Sequence, residues 1–230
     1  MATTGTYAWN PAASNLSLVA FGRIGIRRTE ITAQHLEDAA NEMNLLQVQL
    51  SNNQPNLWKT EVFDITLEEG DAEYDLPARM AAIQDVYIRT TSGGTVTDRI
   101  VWPLSAYEFD ALPAKTQQAP PTSYYINKTL TPTITFWQVP DMDDTYTAKV
   151  RLLAQPQDAS LVSGTTLDMP YRFLDVFVAG LAHRLARIYA PDKEAVRKQD
   201  YQDAWSVAAN TDTQDSVGMY ISPSFAGYWR

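Results

Sequence analysis

The stretch Leu46-Gln47-Val48-Gln49-Leu50-Ser51-Asn52-Asn53-Gln54-Pro55-Asn56-Leu57-Trp58-Lys59-Thr60-Glu61-Val62-Phe63-Asp64-Ile65-Thr66-Leu67 decides how this chain is built. Before Pro55 the apolar residues recur every three or four positions. After Trp58 they recur every second one. The first half ends a helix read over 32–51, with Leu36, Ala39, Ala40, Met43, Leu46 and Leu50 on one apolar stripe. Thr32 fits the N-cap, because its hydroxyl can accept from an unpaired first-turn N–H. Glu37, Asp38, Glu42 and Gln47 fall largely off the stripe, and Ser51-Asn52-Asn53 followed by Pro55 stops the helix. The second half reads as a strand, with Phe63, Ile65 and Leu67 on one face and Asp64, Thr66 and Glu68 on the other.

The two-residue period continues downstream. Glu69-Gly70-Asp71 is a turn signal, and Tyr74-Asp75-Leu76-Pro77 reads as the returning strand of a hairpin. Val86-Tyr87-Ile88 and the run from Val96 to Trp102 flank Ser92-Gly93-Gly94, a second hairpin. Ser105 with Glu108 is a capping box for a short helix through Leu112. The prolines and glutamines of 113–122 make a loop. Three more strands follow, from Tyr124 to Lys128, Ile134 to Val139 and Tyr146 to Leu153, with Asp141-Met142-Asp143-Asp144 as the last turn. So many short strands with regular turns predict a sandwich or partial barrel.

After Pro156 the helical period returns. Pro170 opens a helix over 171–189 whose stripe is Leu174, Phe177, Val178, Leu181, Leu185 and Ile188. Ala179, Gly180 and Ala182 form an adjacent face of small residues, suited to close packing by another helix or to an oligomer contact. A third helix, about 192–209, carries a weaker stripe of Tyr201, Ala204, Trp205 and Ala208, and Glu194 with Lys198 is spaced for an ion pair. Upstream, residues 1–22 read as an extended, apolar arm. Downstream, 210–230 holds Met219, Tyr220, Ile221, Phe225, Tyr228 and Trp229 without a clean period. That much aromatic area suits docking, either onto a partner or back onto the chain itself.

The helix of 32–51 lacks apolar partners nearby and most simply buries its stripe against the two late helices. The expected fold is therefore α+β. A small helical bundle (23–56 with 157–209) carries an inserted antiparallel β-sandwich or partial barrel (57–156), with an arm at 1–22 and a docking tail at 210–230.

Composition narrows the function. The chain has no cysteine, which excludes disulfides and thiolate metal sites. No apolar run reaches the roughly 20 residues of a membrane helix, and the opening residues carry no secretory pattern, so no membrane partner is expected. The net charge of −9 opposes general nucleic-acid binding. Residues 57–155 hold 14 acids against 8 bases, so the acidity is concentrated in the β segment. Two basic clusters run against it. Arg23, Arg27 and Arg28 lie early, and Arg184, Arg187, Lys193, Arg197 and Lys198 lie late. They are either solvated surface charge or candidate DNA or subunit contacts.

Catalytic patterns are missing. The two histidines, His35 and His183, lie in predicted helices without metal-ligand spacing, and no Gly-x-Ser-x-Gly elbow or phosphate-binding loop is present. Asp141, Asp143 and Asp144 lack the glycine and closing glutamate of a calcium loop and read as a solvated turn. Trp58, Trp102, Tyr124, Tyr125 and Trp137 have the chemistry to stack on sugars, although strands of a sandwich need most such residues inward. The expectation is a non-enzymatic building block without cofactor or metal.

An ordered series of landmarks adds to this. Arg23-Ile24-Gly25-Ile26, Thr32, Glu42-Met43-Asn44-Leu45-Leu46 and Asn56-Leu57-Trp58 come first. Tyr74-Asp75-Leu76-Pro77, Pro121-Thr122-Ser123-Tyr124-Tyr125 and Pro132 to Trp137 with Pro140 follow. Leu167-Asp168-Met169-Pro170, Tyr171 to Ala182, Leu185-Ala186 and Tyr189-Ala190-Pro191 close the series. Over about residues 20–205 it resembles the head-to-tail adaptor proteins of tailed bacteriophages, especially short-tailed ones. The resemblance implies a virion protein of the neck, assembled in the host cytoplasm as a homo-oligomeric ring, typically of twelve copies, beneath the portal protein. Such a ring extends the DNA channel, lets genomic DNA pass without sequence-specific binding, and offers an attachment surface to tail or nozzle proteins. It would make the aromatic residues of 210–230 the portal-docking arm. The competing readings are another tail-side structural module and a carbohydrate-binding module built on the β segment.

Overall fold

The computed structural model describes Gly5 and residues 9–53, 57–141, 144–162 and 164–211. Helix α1 spans Ala13–Ile24 and α2 Ala33–Asn53. Strands β1 (Thr60–Thr66), β2 (Glu73–Asp75), β3 (Met80–Ser92), β4 (Thr95–Ile100) and β5 (Trp102–Leu104) follow, then the short helix α3 (Ala106–Asp110). Strands β6 (Ser123–Asn127), β7 (Thr133–Trp137) and β8 (Thr145–Ala154) complete the β segment, and α4 (Leu174–Tyr189) and α5 (Glu194–Thr211) close the series.

Two four-stranded sheets form, in the orders β1-β8-β3-β4 and β2-β7-β6-β5, and the fold is α+β. Every pairing is antiparallel except β5 with β6. Alternation sets the faces. On β8, Tyr146, Ala148, Val150 and Leu152 point into a core shared with Tyr124, Ile134 and Phe136 of the other sheet. The opposite face carries charge, and the register places unlike charges directly across from each other: Lys149 on Asp64, Arg151 on Asp85 and Arg89 on Asp98. A one-residue slip would bury these pairs and expose the apolar set, so register is strongly specified.

The β1–β2 hairpin expected around Gly70 does not form. Gly70 does turn the chain, but β1 pairs with β8 and β2 with β7, so the turn joins two sheets. Local alternation cannot distinguish a hairpin from a sheet-to-sheet corner. The Ser92-Gly93-Gly94 hairpin does form, with both glycines at positive φ and β3 paired to β4. The capping box of Ser105 and Glu108 is present at α3.

The helical part is organised around α4, against which α1, α2 and α5 each pack. Phe21, Ile24, Met43, Leu46, Phe173, Phe177, Leu181 and Leu185 are fully buried there. Each such side chain contributes about 1.5–3 kcal/mol by leaving water. Gly180 is where three helices meet. A Cβ there would lie 2.9 Å from Leu46 Cδ1 and 3.0 Å from a ring carbon of Tyr201, so the small-residue face serves core packing.

The reading of 1–22 as an extended arm is corrected, because Ala13–Ile24 is a helix. Its buried face, Leu16, Ala20, Phe21 and Ile24, has helical spacing but covers only three turns. It starts without a side-chain cap; instead Ala13 N–H donates to Thr165 O at 2.9 Å, a contact made by the loop before α4. Two smaller corrections concern α2. Leu36 is 37% exposed, while Gln47, placed off the stripe, is buried. The expected Glu194–Lys198 pair also gives way, because Glu194 turns to Arg187 of α4 at 3.3 Å.

Because β1 and β8 are neighbours, the chain enters and leaves the sheets side by side, and both crossings are tied. Lys59 forms an ion pair with Asp168, and Gln157 N–H donates to the same carboxylate at 3.1 Å. Burial alone would raise the Asp168 pKa, but these two donors outweigh it and hold the carboxyl below its usual range. Asn44 of α2 clamps the outgoing strand. Its Nδ2 donates to Ala159 O at 3.2 Å and its Oδ1 accepts from Ala159 N–H at 2.8 Å.

Candidate assembly surfaces

The early basic cluster splits. Arg23 pairs with Asp175 at 2.7 Å and ties α1 to α4. Arg27 and Arg28 are exposed and make no ion pair among the described residues, so they remain free for a partner. Between Arg23 and Arg27, Gly25 ends α1 at φ +94°, and the Lys193 ammonium donates to Ile24 O at 2.7 Å, closing the helix with a cation where its dipole is negative.

The late cluster is mostly committed within the fold. Arg184 donates to Glu42 and to Gln49, both at 2.8 Å, fastening α4 to α2. Arg187 lies 3.3 Å from Glu194 and fastens α4 to α5. Arg184 and Arg187, with Gln49, His183, Lys198, Tyr201 and Gln202, surround a cavity of about 210 Å³. Burial, together with the nearby cations Arg187 and Lys198, lowers the His183 pKa, while Glu194 opposes the shift.

Apolar surface is exposed in both parts. On the helical side, Trp9, Leu16, Val19, Tyr171, Leu174 and Val178 line a groove of about 400 Å³ between α1 and α4, with Trp9 71% exposed. On the β side, β4 is exposed along its whole length as an edge strand. Val96 and Ile100 of β4, Trp102 of β5 and Tyr107 of α3 stand in water, the last two at 68% and 84%. Exposed apolar side chains of this size mark contact surfaces.

The aromatic residues weighed as a sugar platform are dispersed. Tyr124 is core, Trp58 packs on Phe173 with ring centroids 4.5 Å apart, and Tyr125 stacks on Phe109 at 5.4 Å. Trp137 is half-buried, which leaves Trp102 as the widely exposed member of that set. Asp141 accepts from the Tyr146 hydroxyl at 2.7 Å. The aromatic tail residues Met219, Tyr220, Ile221, Phe225, Tyr228 and Trp229, and Asp143 of the turn, lie outside the described residues.

A family profile described as "SU10 adaptor protein" matches residues 15–223. The chain belongs to the SU10 adaptor protein family. The match runs through both the helices and the β segment, so the adaptor fold includes the two. As a member of this family the chain is a structural adaptor of a bacteriophage particle, placed at the neck and associating with portal and tail proteins. No curated protein sequence matches this adaptor.

Sequence reasoning missed the α1–α4 groove, because it missed α1. The spacing of Leu16, Ala20 and Ile24 was the available signal. It also missed the exposed edge of β4, since alternation tells which residues differ in polarity but not which strand lies outermost.

Proposed function

We propose that this adaptor assembles as a closed ring under the portal, extends the DNA channel, and presents a surface to which tail proteins attach. The proposal includes no catalytic role. The observation that carries it is the presence of separate exposed apolar surfaces on the helical and β parts, at the α1–α4 groove and along β4, β5 and α3. A ring subunit needs several such faces, for its two neighbours, the portal above and the tail below, and closed heterologous contacts use different patches on each copy. The net charge of −9 supports passage of DNA without retention, because an acidic lumen repels phosphates. The segment 210–230, rich in aromatics, is the portal-docking arm of this reading.

The test is electron microscopy of the chain mixed with the portal oligomer from the same genome, full-length and truncated after Asn210. Rings stacked on the portal by the full-length chain and not by the truncated one are expected. Rings formed equally by both remove docking from the tail. Association by neither removes the ring-under-portal proposal.

A further inference from the structure

The cavity between α4 and α5 differs from the grooves by its chemistry. Its wall holds three cations, Arg184, Arg187 and Lys198, and four neutral groups, Gln49, His183, Tyr201 and Gln202. Arg184 and Arg187 already have carboxylate partners in Glu42 and Glu194. Lys198 is exposed and has no ion-pair partner among the described residues. Local charge is therefore three positive against two negative, an excess of one.

Two further polar groups in the wall are incompletely bonded. His183 is 93% buried, from a residue exposure of 7%, and its Nε2 makes no hydrogen bond, although Glu194 Oε1 is 3.4 Å away. The Tyr201 hydroxyl is likewise buried without a partner. The two rings lie side by side, 6.3 Å between centroids and 17° between planes. Buried polar groups left unpaired cost stability that a ligand recovers. A pocket with one unbalanced cation and an unpaired hydroxyl in its wall suits one anionic group of carboxylate size.

We propose that this pocket receives a carboxylate from a second copy of this chain, supplied by the acidic β1–β2 turn. That turn carries Glu68, Glu69 and Asp71, and β2 beside it Glu73 and Asp75, all exposed and none in an ion pair among the described residues. An excess of acid on one surface and an excess of base on another give a heterologous contact that repeats around a ring. DNA phosphate is disfavoured as occupant. A phosphate track needs several free cations in a row, and here two of the three are tied to carboxylates. The proposal rests on the ring reading above and names one of its lateral contacts.

The chain has no native cysteine, so single cysteines report cleanly. Full-length Lys198→Cys and Asp71→Cys chains are mixed on the portal oligomer, treated with a short bis-maleimide, and compared with electron micrographs of the same samples. A covalent heterodimer formed only in the mixture and only on the portal is the expected result. Rings without heterodimer overturn the contact and leave the ring intact; the absence of rings from the wild-type chain on the portal overturns both. In a second arm, Lys198→Glu lowers ring occupancy by about tenfold at fixed concentration, and adding Glu69→Lys with Asp71→Lys restores it to within about threefold. Loss without restoration refutes the turn as the source. A fluorescent DNA duplex that binds the wild type and is released by Lys198→Glu assigns the pocket to phosphate and overturns the proposal.

Discussion

Replacing Asn44 by alanine should weaken the joint between the helical part and the returning strand. Three hydrogen bonds end on this side chain: Nδ2 to Ala40 O at 3.0 Å, Nδ2 to Ala159 O at 3.2 Å, and Ala159 N–H to Oδ1 at 2.8 Å. Ala159 is buried, so its N–H cannot turn to water when the acceptor is removed. An orphaned buried donor costs about 1–3 kcal/mol, and each remaining neutral bond contributes about 0.5–1.5 kcal/mol. Alanine returns roughly 0.5 kcal/mol through its better helix propensity. The balance is a loss of about 1.5–5.5 kcal/mol, which for a chain of this size lowers Tm by roughly 3–22 °C. Urea titration followed by circular dichroism measures it, with exposed Asn41→Ala expected within about 0.5 kcal/mol of wild type as the control. A loss at Asn44 no larger than that of the control would refute the clamp.

Three further outcomes are expected. Gly25→Ala should cost about 1–3 kcal/mol in the same titration, because φ is +94° and the new Cβ would sit 2.6 Å from Lys193 Nζ; an unchanged midpoint would refute the strain at this cap. Gln47→Met should stabilise the fold by about 1 kcal/mol, since Gln47 Nε2 is buried without a partner; destabilisation would mean that the amide is satisfied by something the isolated chain retains. The third concerns pH. The His183 pKa is lowered in the folded state, so below the unfolded value of about 6.5 the unfolded chain binds more protons and stability falls as pH drops. His183→Gln should flatten that part of the stability–pH curve, and a slope equal to wild type would refute the assignment.

The change from helix to strands was legible because the period of the apolar residues changes at Pro55, and periodicity follows from backbone geometry alone: 3.6 residues per turn in α2, two per repeat in β1 and β8. Both the Ser105 capping box and the Gly93-Gly94 turn were equally local, and both form as read. Absent cysteine and the excess of acid were fixed by composition. What sequence did not carry is which faces meet. Helix α1 is stabilised by Phe21 and Ile24 against α4 and begins with the Ala13 N–H donating to the loop carbonyl of Thr165, a contact more than a hundred residues away. Gln47 looked like a surface residue by its polarity and is buried because α2 meets its neighbours over a wider arc than its apolar stripe. Tyr74 belongs to the second sheet because Ile134 is its partner there. The basic residues, uniform in sequence, were sorted by distance: Arg23, Arg184 and Arg187 into internal ties, Arg27, Arg28 and Lys198 onto the surface. Hydrophobic period is a property of a segment, whereas burial, pairing and the availability of a charge are properties of what packs against it, and those only the tertiary structure decided.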